Sequence, residues 1–296
     1  MTTSDRLLSV LGLFTIERPE WTIEDAANEL GLAVSTAYRY FRSLSKAGLV
    51  VAFATGRYVL GPAIIQYDRQ IRLRDPLATA AQPIMKRLTE QLPAHTLVLL
   101  CRLFRNQVIC VQQESAERPE FAVSYERGRA MPLFRGAASK IILANMPLRT
   151  VKSLHGEHAA KFAQASLGKN WEEAKERLRA LRNAGYSITQ GELDPGMCGI
   201  AVPVFEPAGA VVGSLGMVIP ARYLTPGFLT EAPQLLATAT GQIHWALSLG
   251  VPELAAARPP APTPGALASS ESKSTKAQRP AKTTPRHRKT IRRVRP

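Results

Sequence analysis

The chain has 296 residues, a hydrophobic fraction of 45% and a formal net charge of +15. This length suggests about two domains with an ordinary globular core, and the charge points to a polyanionic partner. Three scattered cysteines exclude a disulfide framework, and no signal peptide or apolar run of the roughly 18 residues needed for a membrane span is visible. We therefore expect a cytoplasmic protein that has no membrane partner.

The first sixty residues predict a helix-turn-helix. An apolar pattern that begins at Leu7 indicates a first helix ending before Pro19. Thr22 is typical of the N-cap of a second helix, with Asp25 three residues later, and Gly31 ends that helix because glycine adopts the left-handed conformation cheaply. The apolar stripe of a third helix, which Gly48 closes, comprises Val34, Ala37, Phe41 and Leu44.

The segment after the third helix predicts a β-hairpin, which makes the domain a winged helix. Two short apolar runs flank a turn at Thr55 and Gly56, with Arg57 near the tip. Charge is segregated along this domain, since residues 17–29 hold five acids and one base, whereas residues 31–60 hold four bases and no acid. One basic face favours DNA binding over a purely structural scaffold. The predicted DNA contacts are Ser35, Thr36, Tyr38, Arg39, Arg42 and Arg57.

The rest of the chain to about residue 250 predicts a second domain of α+β class. A helix over residues 61–73 leads to a new helix that Asp75 and Pro76 cap. Strands are predicted at residues 95–104, 107–114, 121–126, 198–206 and 210–219. Helices are predicted after Arg135, at residues 171–184, and at residues 224–249 with a start broken by Pro226 and Pro233. Antiparallel strands covered by helices give this class.

No pattern in the second domain indicates catalysis, a cofactor or a metal. His155 and His158 frame a glycine and a glutamate, but the spacing is not that of a zinc protease, and the stretch looks like a polar surface. Cys101 and Cys110 lie in apolar strand runs, where a buried structural thiol is expected. We therefore expect a protein that is not an enzyme.

Three segments resemble the IclR-type bacterial transcriptional regulators. They are TIEDAANELGLAVSTAYRYFRSLSKAGLV with its wing and RYVLGPAII, then RGRAMPLFRGAASKIILANMP, then GYSITQGELDPGMCGIAVPVFEPAGAVVGSLGMVIPAR. The resemblance covers about residues 5–249. It implies a winged helix-turn-helix domain at residues 1–62, a linker helix at 63–75 and a GAF-like effector domain at 76–250, and the basic tail at 251–296 lies outside it.

The resemblance also implies a small-molecule pocket on one side of the effector-domain sheet. The effector residues that it implies are Phe134, Gly136, Ala137, Asp194, Met197 and Cys198. A Gly-Ala pair that enters a helix leaves backbone N–H groups free to bind a carboxylate, which favours a small organic acid. Gly216 and Val218 stand where the family often has hydroxyl residues, and Ser139 stands where it often has glycine. Fewer hydroxyls suggest an apolar acid, either aromatic or branched.

The tail from Arg258 onward holds eleven Lys and Arg and one acid, with almost no large apolar residue. This composition predicts disorder and fits either a nucleic-acid-binding arm or a solubilising extension. The leading hypothesis is a regulator that binds a near-palindromic operator on double-stranded DNA as a homodimer or a dimer of dimers. The alternatives are an enzyme with a DNA-binding appendage and a protein that coats DNA through its tail.

Overall fold

The computed structural model describes residues 2–54, 56–117 and 121–249, so the basic tail and Thr55 of the predicted wing turn lie outside the described residues. In the N-terminal part, a small sheet of order β1-β3-β2 packs with three helices. Its elements are α1 (Thr3–Ser9), β1 (Trp21–Thr22), α2 (Ile23–Leu30), α3 (Val34–Lys46), β2 (Val50–Ala54) and β3 (Arg57–Leu60). This arrangement confirms the predicted winged helix.

The local signals around α2 act as expected. The Asp25 N–H donates to the Thr22 hydroxyl at 3.0 Å, and Gly31 ends the helix with a φ of 62°. The first helix is shorter than predicted, because α1 ends at Ser9 and a 3-10 turn follows at Leu11–Leu13. This turn brings the Leu13 carbonyl to the indole N–H of Trp21, which donates to it at 2.9 Å.

The buried stripe of α3 is shifted relative to the prediction. Ala37, Phe41 and Leu44 are buried, whereas Val34 is 49% exposed. The first turn of α3 extends beyond the part of the helix that packs on the core, so Val34 at its start has nothing to cover it. Tyr40, which the apolar pattern does not include, is buried instead.

The remaining described elements form a three-layer domain around a six-stranded antiparallel sheet of order β6-β5-β4-β9-β8-β7. The strands are β4 (Leu97–Phe104), β5 (Gln107–Glu114), β6 (Ala130–Pro132), β7 (Ser187–Gln190), β8 (Met197–Phe205) and β9 (Val211–Pro220). The helices are α4 (Ala63–Arg74), α5 (Pro76–Thr89), α6 (Ala137–Asn145), α7 (Leu148–Gln164), α8 (Trp171–Ala184) and α9 (Pro226–Ser248). α5 and α9 cover one face of the sheet, and α6, α7 and α8 cover the other.

Most predicted elements of this domain are confirmed, but two predictions are wrong. Residues 121–126 do not form a strand, because the Ser124 N–H donates to the Asp194 carboxylate and the Tyr125 carbonyl accepts from the Gln113 amide. Pro233 does not break α9 but lies buried inside it, without the N–H that other helical residues donate. The stretch with His155 and His158 belongs to α7, where Gly156 and Glu157 are exposed as expected and the half-buried His155 ring packs against Phe162 and Trp171.

Three elements of this domain were not anticipated, namely α7 and the two edge strands β6 and β7. Within the described residues, no helix is long and apolar enough to cross a membrane. Across the same part of the chain, no group of three or more His, Cys, Asp and Glu side chains is placed to hold a metal ion.

Candidate nucleic-acid interface and ligand cavity

The outward face of α3 is polar and basic. Tyr38 is 56% exposed, and Ser35, Arg39 and Arg42 are also exposed, while Thr36 is half-buried. The opposite face packs on the core through Phe41 and Leu44. Since α3 contains no acidic residue, nothing on this helix repels a phosphate backbone. A helix of this kind can place hydroxyl, phenol and guanidinium groups against base edges and phosphates.

Arg57 lies at the start of β3, beside the tip of the wing. Its guanidinium forms an ion pair with Glu20, so part of its charge is already compensated within the domain. The end of β2 carries Phe53, which is 78% exposed and is not among the predicted DNA contacts. An aromatic residue among the small residues next to a predicted wing turn is the signal that could have identified it.

A narrow cavity lies between the N-terminus of α6, strands β8 and β9, and the loop at residues 191–196. Its volume is about 30 Å³, which is room for about two water molecules. The wall is mostly apolar or made of glycine. The lining residues include Leu99, Tyr125, Gly136, Ala137, Thr189, Leu193, Met197, Gly199, Gly216 and Val218. Residues predicted from sequence lie on two sides of this cavity, at the start of α6 and at residues 194–197, whereas Tyr125, Thr189 and Gly199 were not predicted.

The structure brings four of the six expected effector residues to this cavity, namely Gly136, Ala137, Asp194 and Met197. Phe134 points elsewhere, and its ring contacts the rings of His158 and Phe162 with centroid distances of 5.6 and 4.9 Å. Phe134 and Cys198 do not line the cavity, although the nearby residues Gly136 and Met197 do.

Cys198 lies on the wrong face of the sheet to reach the cavity. Successive side chains of a strand point to opposite faces, so Cys198 packs under α5 and α9, while Met197 and Gly199 face the cavity. Burial raises the pKa of its thiol to about 11. Cys101 and Cys110 are buried as expected for structural thiols.

The N-terminus of α6 holds a carboxylate of the protein itself. The Gly136 N–H donates to Glu192 Oε2 at 3.3 Å, and Lys140 Nζ lies 2.7 Å from Glu192 Oε1. The Arg135 guanidinium donates to the Glu192 carbonyl. Nothing in the spacing of Lys140 and Glu192, which are 52 positions apart, identifies this pair from sequence.

Two further polar contacts surround the cavity. The Asp194 carboxylate accepts hydrogen bonds from the N–H and the hydroxyl of Ser124, so it ties the loop at 191–196 to the segment before β6. The Tyr125 hydroxyl lies 2.9 Å from the Ser139 hydroxyl, and burial raises the pKa of Tyr125 well above its ordinary value. Ser139, which departs from the family pattern, therefore supplies a hydrogen-bond partner for a buried phenol.

Two family models match the chain. "IclR helix-turn-helix domain" matches residues 3–52, and "Bacterial transcriptional regulator IclR C-terminal" matches residues 72–245, which is more than half of the chain. Among curated proteins, the Pca regulon regulatory protein of Pseudomonas putida is 24% identical over 247 residues, covering 82% of this chain and 84% of the relative.

Solved structures share the fold. An IclR transcriptional regulator from Alicyclobacillus acidocaldarius matches with a TM-score of 0.65 and 24% identity, covering 83% of this chain and 98% of that one. An IclR homologue from Microbacterium hydrocarbonoxydans, solved in complex with 4-hydroxybenzoate, matches with a TM-score of 0.62 and 20% identity over 84% of this chain and all of its own. The chain belongs to the IclR family, and it is a transcriptional regulator rather than an enzyme.

Proposed function

We propose that this regulator binds a near-palindromic operator as a homodimer, and that a small organic acid bound beside α6 changes its operator affinity. The observation that carries the DNA-binding part is the exposed face of α3, on which Tyr38, Arg39 and Arg42 stand without an acidic neighbour on the helix. Arg and Tyr supply contacts to bases and phosphates, and the buried face of the same helix fixes their direction.

A dimer is favoured by the apolar surface of α4, which joins the winged helix to the effector domain. Ile65 is 72% exposed, and Ile71 and Leu73 are also exposed on this helix. Several large aliphatic side chains exposed on one short helix are unusual for a monomer. One winged helix presents a single recognition helix, so a second copy covering this surface would explain both a two-fold operator and the apolar residues.

An acid effector is favoured by the composition of the cavity. Its polar end has Gly136 and Glu192, and the Glu192 carboxylate accepts from the Gly136 N–H and pairs with the Lys140 ammonium behind it. The dipole of α6 adds positive potential there. The other walls are apolar, with Leu99, Met217 and Val218. An aromatic or branched monocarboxylate suits this combination, and 4-hydroxybenzoate, the ligand of the Microbacterium homologue, has that chemistry.

In vitro selection from random duplex DNA tests the proposal. The full-length protein is expected to enrich a sequence with two-fold symmetry, and fluorescence anisotropy is expected to show tighter binding to that sequence than to a scrambled duplex. Adding benzoate, 4-hydroxybenzoate or a branched-chain acid is then expected to change the operator Kd. Equal affinity for all duplexes would instead support the alternative of a protein that coats DNA through its tail.

A further inference from the structure

We propose that Glu192 is an internal occupant of the effector site, and that an acid effector binds by displacing its carboxylate from Gly136 and Lys140. This inference rests on the proposed function, because it concerns the same cavity. It further assigns Glu192 as the competitor of the effector and Lys140 as the cation that binds the effector carboxylate. The loop at 191–196 is the segment that must move.

The contacts of Glu192 are those that a bound carboxylate would make. One oxygen accepts from the Gly136 N–H at the start of α6, and the other lies 2.7 Å from the Lys140 ammonium. The side chains of Lys140 and Glu192 are only 12% and 19% exposed. A cation with so little access to water requires a nearby anion, so removal of Glu192 creates a vacancy that an external carboxylate can fill.

The size of the cavity shows that a ligand cannot simply join Glu192. A volume of about 30 Å³ is far below the roughly 300–1,000 Å³ of pockets that hold organic ligands. Leu193 fills the space next to the helix N-terminus, since a Cβ built on Gly136 would lie 2.5 Å from Leu193 Cδ1. An aromatic or branched acid can enter only if Leu193 moves, and Glu192 is its neighbour in the chain.

Departure of Glu192 and opening of the cavity are therefore one event. The loop at 191–196 is held at one end by the Gly136, Lys140 and Arg135 contacts of Glu192, and further along by the bonds of Asp194 to Ser124. The effector carboxylate can replace the contacts of the Glu192 carboxylate, but it cannot replace the bonds between Asp194 and Ser124. In the effector-bound state the charge of Lys140 remains compensated, while Glu192 becomes hydrated.

The variant Glu192→Ala tests whether the position of the Glu192 carboxylate can bind an external carboxylate. Acetate is the probe, so the identity of the effector need not be known. The melting temperature of the full-length variant is measured with acetate, acetamide or chloride at constant ionic strength. Relative to chloride, acetate is expected to raise the melting temperature of the variant but not that of the wild type. Acetamide is expected to leave both melting temperatures unchanged. The double variant with Lys140→Met is expected to lose the response to acetate. Equal effects of acetate and acetamide, or none in the single variant, would overturn the inference.

Glu192→Gln tests the competition and covers the case in which the alanine variant does not fold. An acid that binds the wild type, with 4-hydroxybenzoate as the first probe, is expected to bind this variant about tenfold more tightly in calorimetry, because a neutral amide competes less well than a carboxylate for Lys140. Ser124→Ala is the matched control, because it loosens the same loop but leaves Glu192 in place. A gain of the same size in Ser124→Ala would show that loop loosening, and not carboxylate competition, controls affinity.

The two proposals fail in different ways. If acids shift the operator Kd of the wild type but bind the Glu192 variants with unchanged affinity, the regulatory function stands and the role of Glu192 is refuted. If acetate stabilises Glu192→Ala but no acid changes operator binding, the vacancy is supported and the proposed regulation is wrong.

Discussion

Asp68 on α4 and Arg127 in the segment before β6 form an ion pair with an N–O separation of 2.8 Å. The Arg127 Nε–H also donates to the Val111 carbonyl, and Asp68 accepts from Arg72 within its own helix. The hydrogen bond from Arg127 lowers the pKa of Asp68 below its ordinary value. Because Tyr125 lines the cavity two residues before Arg127, a short stretch of chain joins the cavity wall to the helix that follows the wing.

This ion pair predicts an effect on coupling rather than on stability. Arg127→Ala is expected to leave the separate affinities for operator and acid nearly unchanged. It is expected to remove most of the change in operator Kd that the acid causes, which is typically about 5–150-fold in allosteric proteins. A partly exposed pair contributes only about 0–1 kcal/mol to the free energy of unfolding. The measurement is operator Kd with and without a saturating acid.

A charge-reversed double variant, Asp68→Arg with Arg127→Asp, tests whether the pair itself is responsible. It is expected to recover part of the coupling, because the attraction is restored with the charges exchanged. Arg72→Ala is the control, since it removes the other partner of Asp68 and leaves the contact with the effector domain intact. Loss of coupling in this control as large as in Arg127→Ala would contradict the prediction.

The exposed face of α3 predicts specific losses of operator binding. Arg39→Ala and Tyr38→Ala are each expected to weaken operator binding by about 1–3 kcal/mol and to leave the melting temperature unchanged. Phe41→Ala is expected to destabilise the domain by about 3–5 kcal/mol, because it empties a buried aromatic site. Anisotropy on operator and scrambled DNA, with circular dichroism melts, separates the two effects. Wild-type operator affinity in both α3 surface variants would contradict the assignment.

Gly136 is predicted to be essential for the effector response. It has a φ of 84°, and a Cβ there would lie 2.5 Å from Leu193 Cδ1 and 2.9 Å from the Tyr125 hydroxyl oxygen. Gly136→Leu is therefore expected to abolish the acid-dependent shift while operator binding without acid is retained. The check is an operator titration of the variant across increasing acid. A normal shift would mean that the effector binds elsewhere.

The basic tail is predicted to add phosphate contacts without base recognition. Its final residues include Arg286, Arg288, Lys289, Arg292, Arg293 and Arg295. Each neutralised phosphate contributes about −0.9 to the slope of log K against log salt. If about half of the basic residues in the tail bind phosphates, truncation after Ala257 is expected to flatten this slope by roughly 3–6. Operator and random DNA are expected to weaken by similar factors. An unchanged slope would favour the solubilising extension.

Local chemistry in the sequence was enough to predict much of the fold. The Thr22 cap, the left-handed Gly31 and the start of α5 at Asp75 depend on hydrogen bonds within a few residues of each position. The boundaries of β5 and α8 likewise follow from apolar alternation and from helical spacing between breakers. Such features need no knowledge of distant partners, so one sequence suffices to find them.

Tertiary structure decided which side chains meet. Strand register sends Cys198 under α5 and α9 while its neighbours face the cavity, and a shift of one residue would have reversed this. The ion pair of Glu192 with Lys140 joins positions that are far apart in the chain. The Ser124 N–H donates to the Asp194 side chain, so this part of the backbone does not pair with a neighbouring strand. Composition and spacing carry no information about such contacts, because they arise only when separate elements pack on the same face of the sheet.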